Sequence, residues 1–202
     1  MPAGSLRFWQ AWIYLLVFSV LATILAAYLL KNNPKLIESR LPRLPSEAEK
    51  KGKQRNTQLL LNILLLTLLI TSGLDHRFNL FNVPTNFIII ADIFIALGFL
   101  IVFLVFRENS YASANIEIGK EQKVVSTGPY GIVRHPMYAG ALLAYIFIPI
   151  ALGSFWCCAL FIPLSAIIIL RILEEENFLT EKLSGYREYC RKVRCRLFPL
   201  IW

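Results

Sequence analysis

Ser126-Thr-Gly-Pro-Tyr-Gly-Ile-Val-Arg-His-Pro-Met-Tyr138 is a polar, turn-rich passage in a chain of 202 residues that is 56% hydrophobic. Gly128-Pro129 and Gly131 interrupt regular structure, because glycine tolerates positive φ and proline fixes φ and lacks an N–H. Pro136 then opens a new apolar helix, at the position where a missing N–H costs nothing. The proline ring pushes His135 out of helical geometry, so His135 sits as a cap over the helix start. The first N–H groups of that helix have no intrahelical partner. With Arg134 and His135 beside them they favour an anion.

Outward from this passage the apolar residues come in long blocks, which predicts an all-α, polytopic membrane protein with about five transmembrane helices. The expected spans are residues 9–30, 58–73, 85–106, 136–152 and 155–173. The first lacks a small-residue cleavage site and reads as a retained span. Trp9, Trp12 and Tyr14 gather at one end of it and Tyr28 near the other, as interfacial aromatics do. Residues 31–57 form a basic connector in which Pro34, Pro42 and Pro45 rule out one continuous helix. It reads as a cytoplasmic loop, with a segment lying on anionic lipid as the functional alternative. Asp92 falls inside the third span, where an acid is a functional candidate by default; its nearness to the span's start favours a structural or interfacial role. His76 reads as a membrane-surface residue.

A net charge of +8 in such a chain reports on topology and anionic lipid before nucleic acid, and no nucleic-acid motif accompanies it. The four cysteines have no C-x-x-C spacing and the two histidines lie far apart, so no metal site is expected. Five spans put the chain ends on opposite faces. The long connector, the 107–133 region and the tail share one face and hold every Lys and Arg except Arg7 and Arg77. That face is assigned to the cytoplasm.

Gly153-Ser154 leaves room only for a tight helical hairpin between the last two spans. Arg134, His135 and Tyr138 enter this hairpin and Glu175 and Glu176 leave it, so opposite charges return to one membrane face. Consecutive glutamates at a helix C-terminus oppose its dipole. Three readings account for them: a helix that continues past them, pairing with basic residues of the tail, or a pocket for a zwitterion. In that pocket Arg134, His135 and the helix start would take a carboxylate, and Glu175 or Glu176 an ammonium.

Residues 127–138, with Arg171-Ile-Leu-Glu-Glu-Glu176 and a Gly-Tyr-x-x-Tyr tail at 185–189, resemble the isoprenylcysteine carboxyl methyltransferase family. More broadly they resemble the integral-membrane methyltransferases that include phospholipid N-methyltransferases. The resemblance covers residues 105–202 and divides the chain there. Residues 1–104 are the N-terminal spans with the basic loop. Residues 105–202 are the cofactor-binding region, ending in an amphipathic tail from 174. The resemblance implies S-adenosylmethionine as methyl donor, in a cytosolic pocket formed by the loop before the last hairpin and by the tail. Carried over, Gly128, Tyr130, His135, Tyr138, Glu175 and Glu176 would bind the cofactor, and Arg134 and Glu175 would serve catalysis. Glu175-Glu176 fits the register better than Glu174-Glu175, and Arg194-Cys-Arg-Leu-Phe-Pro199 resembles the family ending that helps close the site.

The expected activity is methyl transfer to a lipophilic acceptor, an isoprenylcysteine-type carboxylate or a lipid, in a multi-pass membrane protein with its site on the cytoplasmic face. A lipophilic or lipidated acceptor and membrane lipid are the expected partners. Two alternatives stand beside it: a membrane reductase using NADPH on a sterol-like or isoprenoid substrate, and a non-catalytic scaffold. The Arg-His-Pro-Met-Tyr wording favours the methyltransferases.

Overall fold

The computed structural model describes residues 2–34, 36–37, 48–78, 82–111, 123–199 and 202. The described residues form six α-helices: α1 Trp9–Asn32, α2 Ala48–Phe78, α3 Thr85–Glu108, α4 Pro136–Ala151, α5 Phe161–Lys182 and α6 Tyr186–Lys192. Short 3₁₀ turns, Gly128–Gly131 and Trp156–Leu160, precede α4 and α5. Four stretches are long and apolar enough to cross a membrane: α1, residues 56–78 of α2, α3, and Trp156–Lys182, which includes α5. The fifth expected span, α4, is a shorter apolar helix of 16 residues, or about 24 Å at the helical rise. Pro149 lies near its end, and Gly153 at φ 77° turns the chain into the tight hairpin that the sequence predicts.

Large apolar side chains on the outside of the bundle mark its surroundings. Leu16, Ile24, Ile63, Leu66 and Ile162 are each more than half exposed. In water so much apolar surface would be strongly unfavourable, whereas lipid tails cover it at no cost. Within α1 only Tyr14 and Leu29 are buried.

Two expectations from sequence change. The polar residues from Ala48 on, read as part of a connector, are the first turns of α2. They follow Pro45 and are rich in Glu, Lys and Gln, good helix formers that let the apolar stretch extend backwards. The glutamates at 174–176 are not at a helix end, because α5 runs on to Lys182 and the dipole penalty at its C-terminus does not arise. Much of the 31–47 connector and residues 112–122 of the 107–133 region lie outside the described residues.

The tightest contact joins α3 to α4. A Cβ built on Gly98 would lie 2.6 Å from the carbonyl oxygen of Gly140, and one on Gly140 would lie 2.8 Å from that of Gly98. Glycine on both sides lets the backbones meet directly, and this seam fixes where α4 begins and hence where His135 sits.

Candidate active site

His135 is the cap residue of α4 with φ −123° and ψ 60°, outside helical geometry as the following proline requires. The segment around it is held by the tail. The backbone N–H of Arg134 donates to the carbonyl of Cys195, and that of His135 to the carbonyl of Arg196, both at 2.9 Å. The tail then folds back on itself, with the N–H groups of Arg196 and Leu197 donating to the carbonyl of Trp202. The Arg196 guanidinium lies over the Trp202 ring, 4.9 Å from its centroid.

This backbone pairing delivers two guanidiniums and an imidazole to one carboxylate. Glu176 is 8% exposed. Its Oε1 lies 3.1 Å from Arg134 Nε and 3.2 Å from His135 Nε2, and its Oε2 accepts a hydrogen bond from Arg196 Nε at 2.8 Å. A buried carboxylate needs such company, since its desolvation costs several kcal/mol, on the order that good pairing can repay. Burial disfavours the charge on Arg134, but a bond to Cys190 and the charge of Glu176 outweigh it and raise its pKa above the ordinary guanidinium value.

A second chain of bonds runs beside the first. Arg171 Nε donates to the Tyr138 hydroxyl at 2.9 Å, and that hydroxyl donates to Glu175 Oε2 at 2.8 Å. Arg171 also donates to Gln58 Oε1, on α2, at 3.1 Å. Because a guanidinium only donates and a phenol carries one proton, the direction is fixed, and Tyr138 must donate to Glu175. One oxygen of Glu175 is thereby occupied.

His135, Tyr138, Glu175, Glu176 and Arg134 therefore meet at one end of the hairpin. They do not stand as two separate poles, because Arg134 and His135 already touch Glu176. Glu174 is partly exposed. Gly128 and Tyr130 have different surroundings. Gly128 has φ 57°, and a Cβ there would meet the Glu108 side chain at 3.2 Å. Thr127 makes a short hydrogen bond to that same Glu108. The Tyr130 hydroxyl accepts from Asn109 and its carbonyl accepts from Tyr189, tying the end of α3 to α6.

Sequence reasoning missed Arg171 and Gln58 as members of the site, and reached Arg196 only through the tail segment 194–199 and the pairing of the glutamates with basic residues of the tail, which Arg196 on Glu176 bears out. Arg171 carried a signal, since it precedes Glu175 by four residues and shares its helix face. Gln58 carried none, being one amide at the edge of a leucine-rich span. Away from the site, His76 stacks on Phe8 with centroids 4.1 Å apart, and Cys157 Sγ lies 3.2 Å from Thr71 Oγ1.

These features define a multi-pass, all-helical integral-membrane protein with a charged site at one end of a helical hairpin. Over residues 86–185 the chain belongs to the phospholipid methyltransferase family, one of the integral-membrane methyltransferases related to the isoprenylcysteine carboxyl methyltransferases. Among curated proteins none matches the chain. The matched stretch holds Arg134, His135, Tyr138, Arg171, Glu175 and Glu176. Gln58 lies before it, and Tyr186 and Arg196 lie after it.

Proposed function

We propose that this protein transfers a methyl group from S-adenosylmethionine to a lipophilic acceptor at the cytoplasmic face of its membrane. The observation that carries the reading is the convergence of Arg134, His135 and Arg196 with Glu175 and Glu176, inside and just beyond a methyltransferase domain. The donor set fits the donor's amino-acid end. Glu175, with one oxygen held by Tyr138, and Glu176 would accept from an ammonium, and Arg134, His135 and Arg196, which now face Glu176, would donate to a carboxylate beside it. Bound there, the donor supplies an electrophilic methyl group on a sulfonium sulfur. The chain's own task is alignment and exclusion of water. Tyr138, locked by Arg171, holds Glu175 in place, and the tail, pinned by the N–H groups of Arg134 and His135, covers the cluster. The site sits where a polar donor arrives from the aqueous side and a lipid arrives sideways. In this reading residues 105–202 hold the donor and the helices of residues 1–104 face the acceptor.

Calorimetric titration of the detergent-solubilised protein with S-adenosylhomocysteine and with NADPH tests the donor. Binding of the first and not the second is expected, and the reverse overturns the reading in favour of a reductase. Radiolabelled methyl donor supplied with membrane lipid and protein extracts then identifies the acceptor by the species that becomes labelled. Fusion at Trp202 of a reporter active only outside the cytoplasm should be silent; a strong signal there reverses the orientation.

A further inference from the structure

Tyr186 is 4% exposed, and its buried hydroxyl has no hydrogen-bond partner among the described residues. A buried hydroxyl left unpaired costs about 1–3 kcal/mol, so its presence calls for an explanation. Gly185, at φ 83°, turns the chain after α5 and sets Tyr186 as the first residue of α6. The ring packs with Leu183, Tyr189 and Val193, which fixes it without using the hydroxyl. Cys190, one turn further along the same face of α6, packs against this cluster, as does Leu179, which follows Glu176 by three residues on its face of α5. Tyr186 is therefore directed to the side of α6 that meets the charged cluster. Glu176, Glu175 and Arg134 all act on it electrostatically, and burial, with those carboxylates behind it, holds its pKa above the ordinary phenol value.

A second donor nearby is also incompletely used. Arg134 Nε is buried and lies 3.1 Å from Glu176 Oε1, yet the contact does not meet hydrogen-bond geometry. Arg134 and Arg196 both face the single carboxylate of Glu176. An unpaired O–H and a guanidinium N–H without a hydrogen bond are what an incoming carboxylate would satisfy.

We infer that Tyr186 is a ligand-binding residue whose hydroxyl, together with Arg134, receives the carboxylate of the donor's amino-acid end. This assignment rests on the methyl-donor reading above and adds to it a residue outside the matched family stretch. It commits the Tyr186 proton to the ligand, and it makes the tail a direct reader of the donor's acid group.

The test is Tyr186→Phe, which keeps the ring and removes only the hydroxyl. Wild type and variant are titrated with S-adenosylhomocysteine and with its decarboxylated analogue, and the melting temperature of each ligand-free protein is measured. The variant should bind S-adenosylhomocysteine about 10-fold more weakly, the decarboxylated analogue within about 2-fold of wild type, and should melt at the same temperature or higher. Equal losses for both ligands, unchanged affinity for S-adenosylhomocysteine, or a lower melting temperature in the ligand-free variant would each overturn the assignment. If wild type fails to bind S-adenosylhomocysteine at all, the donor reading itself has failed, and this assignment falls with it.

Discussion

At one end of the bundle Glu176 is buried among Arg134, His135 and Arg196; elsewhere in it Asp75 and Asp92, 4% and 8% exposed, keep carboxylate oxygens that meet no donor among the described residues. The same functional group is thus buried three times under opposite terms. At Glu176 the chain gathers partners from two separate segments, Arg134 and His135 at the start of α4 and Arg196 in the tail. At Asp75 and Asp92 no cation stands against the carboxyl among the described residues, and the cost of burial is carried by the packing around them. Ser72 Oγ and Gln10 Oε1 are likewise buried and unpaired. The contrast teaches that this fold surrounds one buried carboxylate with donors and leaves two other buried carboxyls without them among the described residues.

Removing charge should therefore move stability in opposite directions in the two regions. Glu176→Gln leaves two guanidiniums facing a neutral amide. It should destabilise the protein by about 3–5 kcal/mol, the usual consequence of breaking a buried pair. In protein that remains folded it should weaken S-adenosylhomocysteine binding by roughly 10- to 150-fold. Chemical denaturation in detergent reads the first effect and calorimetry the second. Asp92→Asn should instead stabilise by about 1–3 kcal/mol, since it removes a charge that has no partner. If both variants lose stability alike, the contrast is wrong and Asp92 has a partner of its own.

Smaller changes sharpen the picture at the paired end. Arg171→Lys keeps the charge but cannot reach Tyr138 and Gln58 with one planar fork. A loss of about 1–2 kcal/mol in donor affinity is expected, and in a Tyr138→Phe background most of that loss should vanish, because the two residues act through one bond. Additive losses would break the chain from Arg171 to Glu175 into independent contacts. Glu174→Gln should change donor affinity by less than about 2-fold, as substitution of a partly exposed residue does. A large effect there would shift the working pair of glutamates by one residue.

How much of this is legible in the sequence follows from what each feature depends on. The helices and the hairpin are written in uninterrupted apolar runs and in Pro136 and Gly153, all local signals. His135 as a cap follows from the residue after it. Glu175 and Glu176 return to the start of α4 because the two arms of a tight hairpin have similar lengths. The continuation of α5 to Lys182 was harder to read, since a run of three glutamates looks like an ending until their partners are known. Those partners are Arg196, reached through backbone pairing of residues 195–196 with 134–135, and Arg171, reached through a phenol. Neither link has a sequence period, because each depends on how a tail folds over a helix start. The beginning of α2 at Ala48 was missed for a different reason. Its first turns are helical by propensity but polar, and the expected span was drawn from apolarity alone.

The seam between Gly98 and Gly140 bears on traffic through the membrane. Two backbones in direct contact, with Ala144 and Ile101 packed beside them, leave no slit at that level through which an acyl or isoprenoid chain could slide. A hydrophobic guest travelling in the bilayer must therefore approach the polar end from another quarter of the circumference. Between α2 and α5 the contact beside the site is made by the long, rotatable side chains of Gln58 and Arg171. The α3–α4 wall thus behaves as a fixed post, and any door in this protein has to hang on another pair of helices.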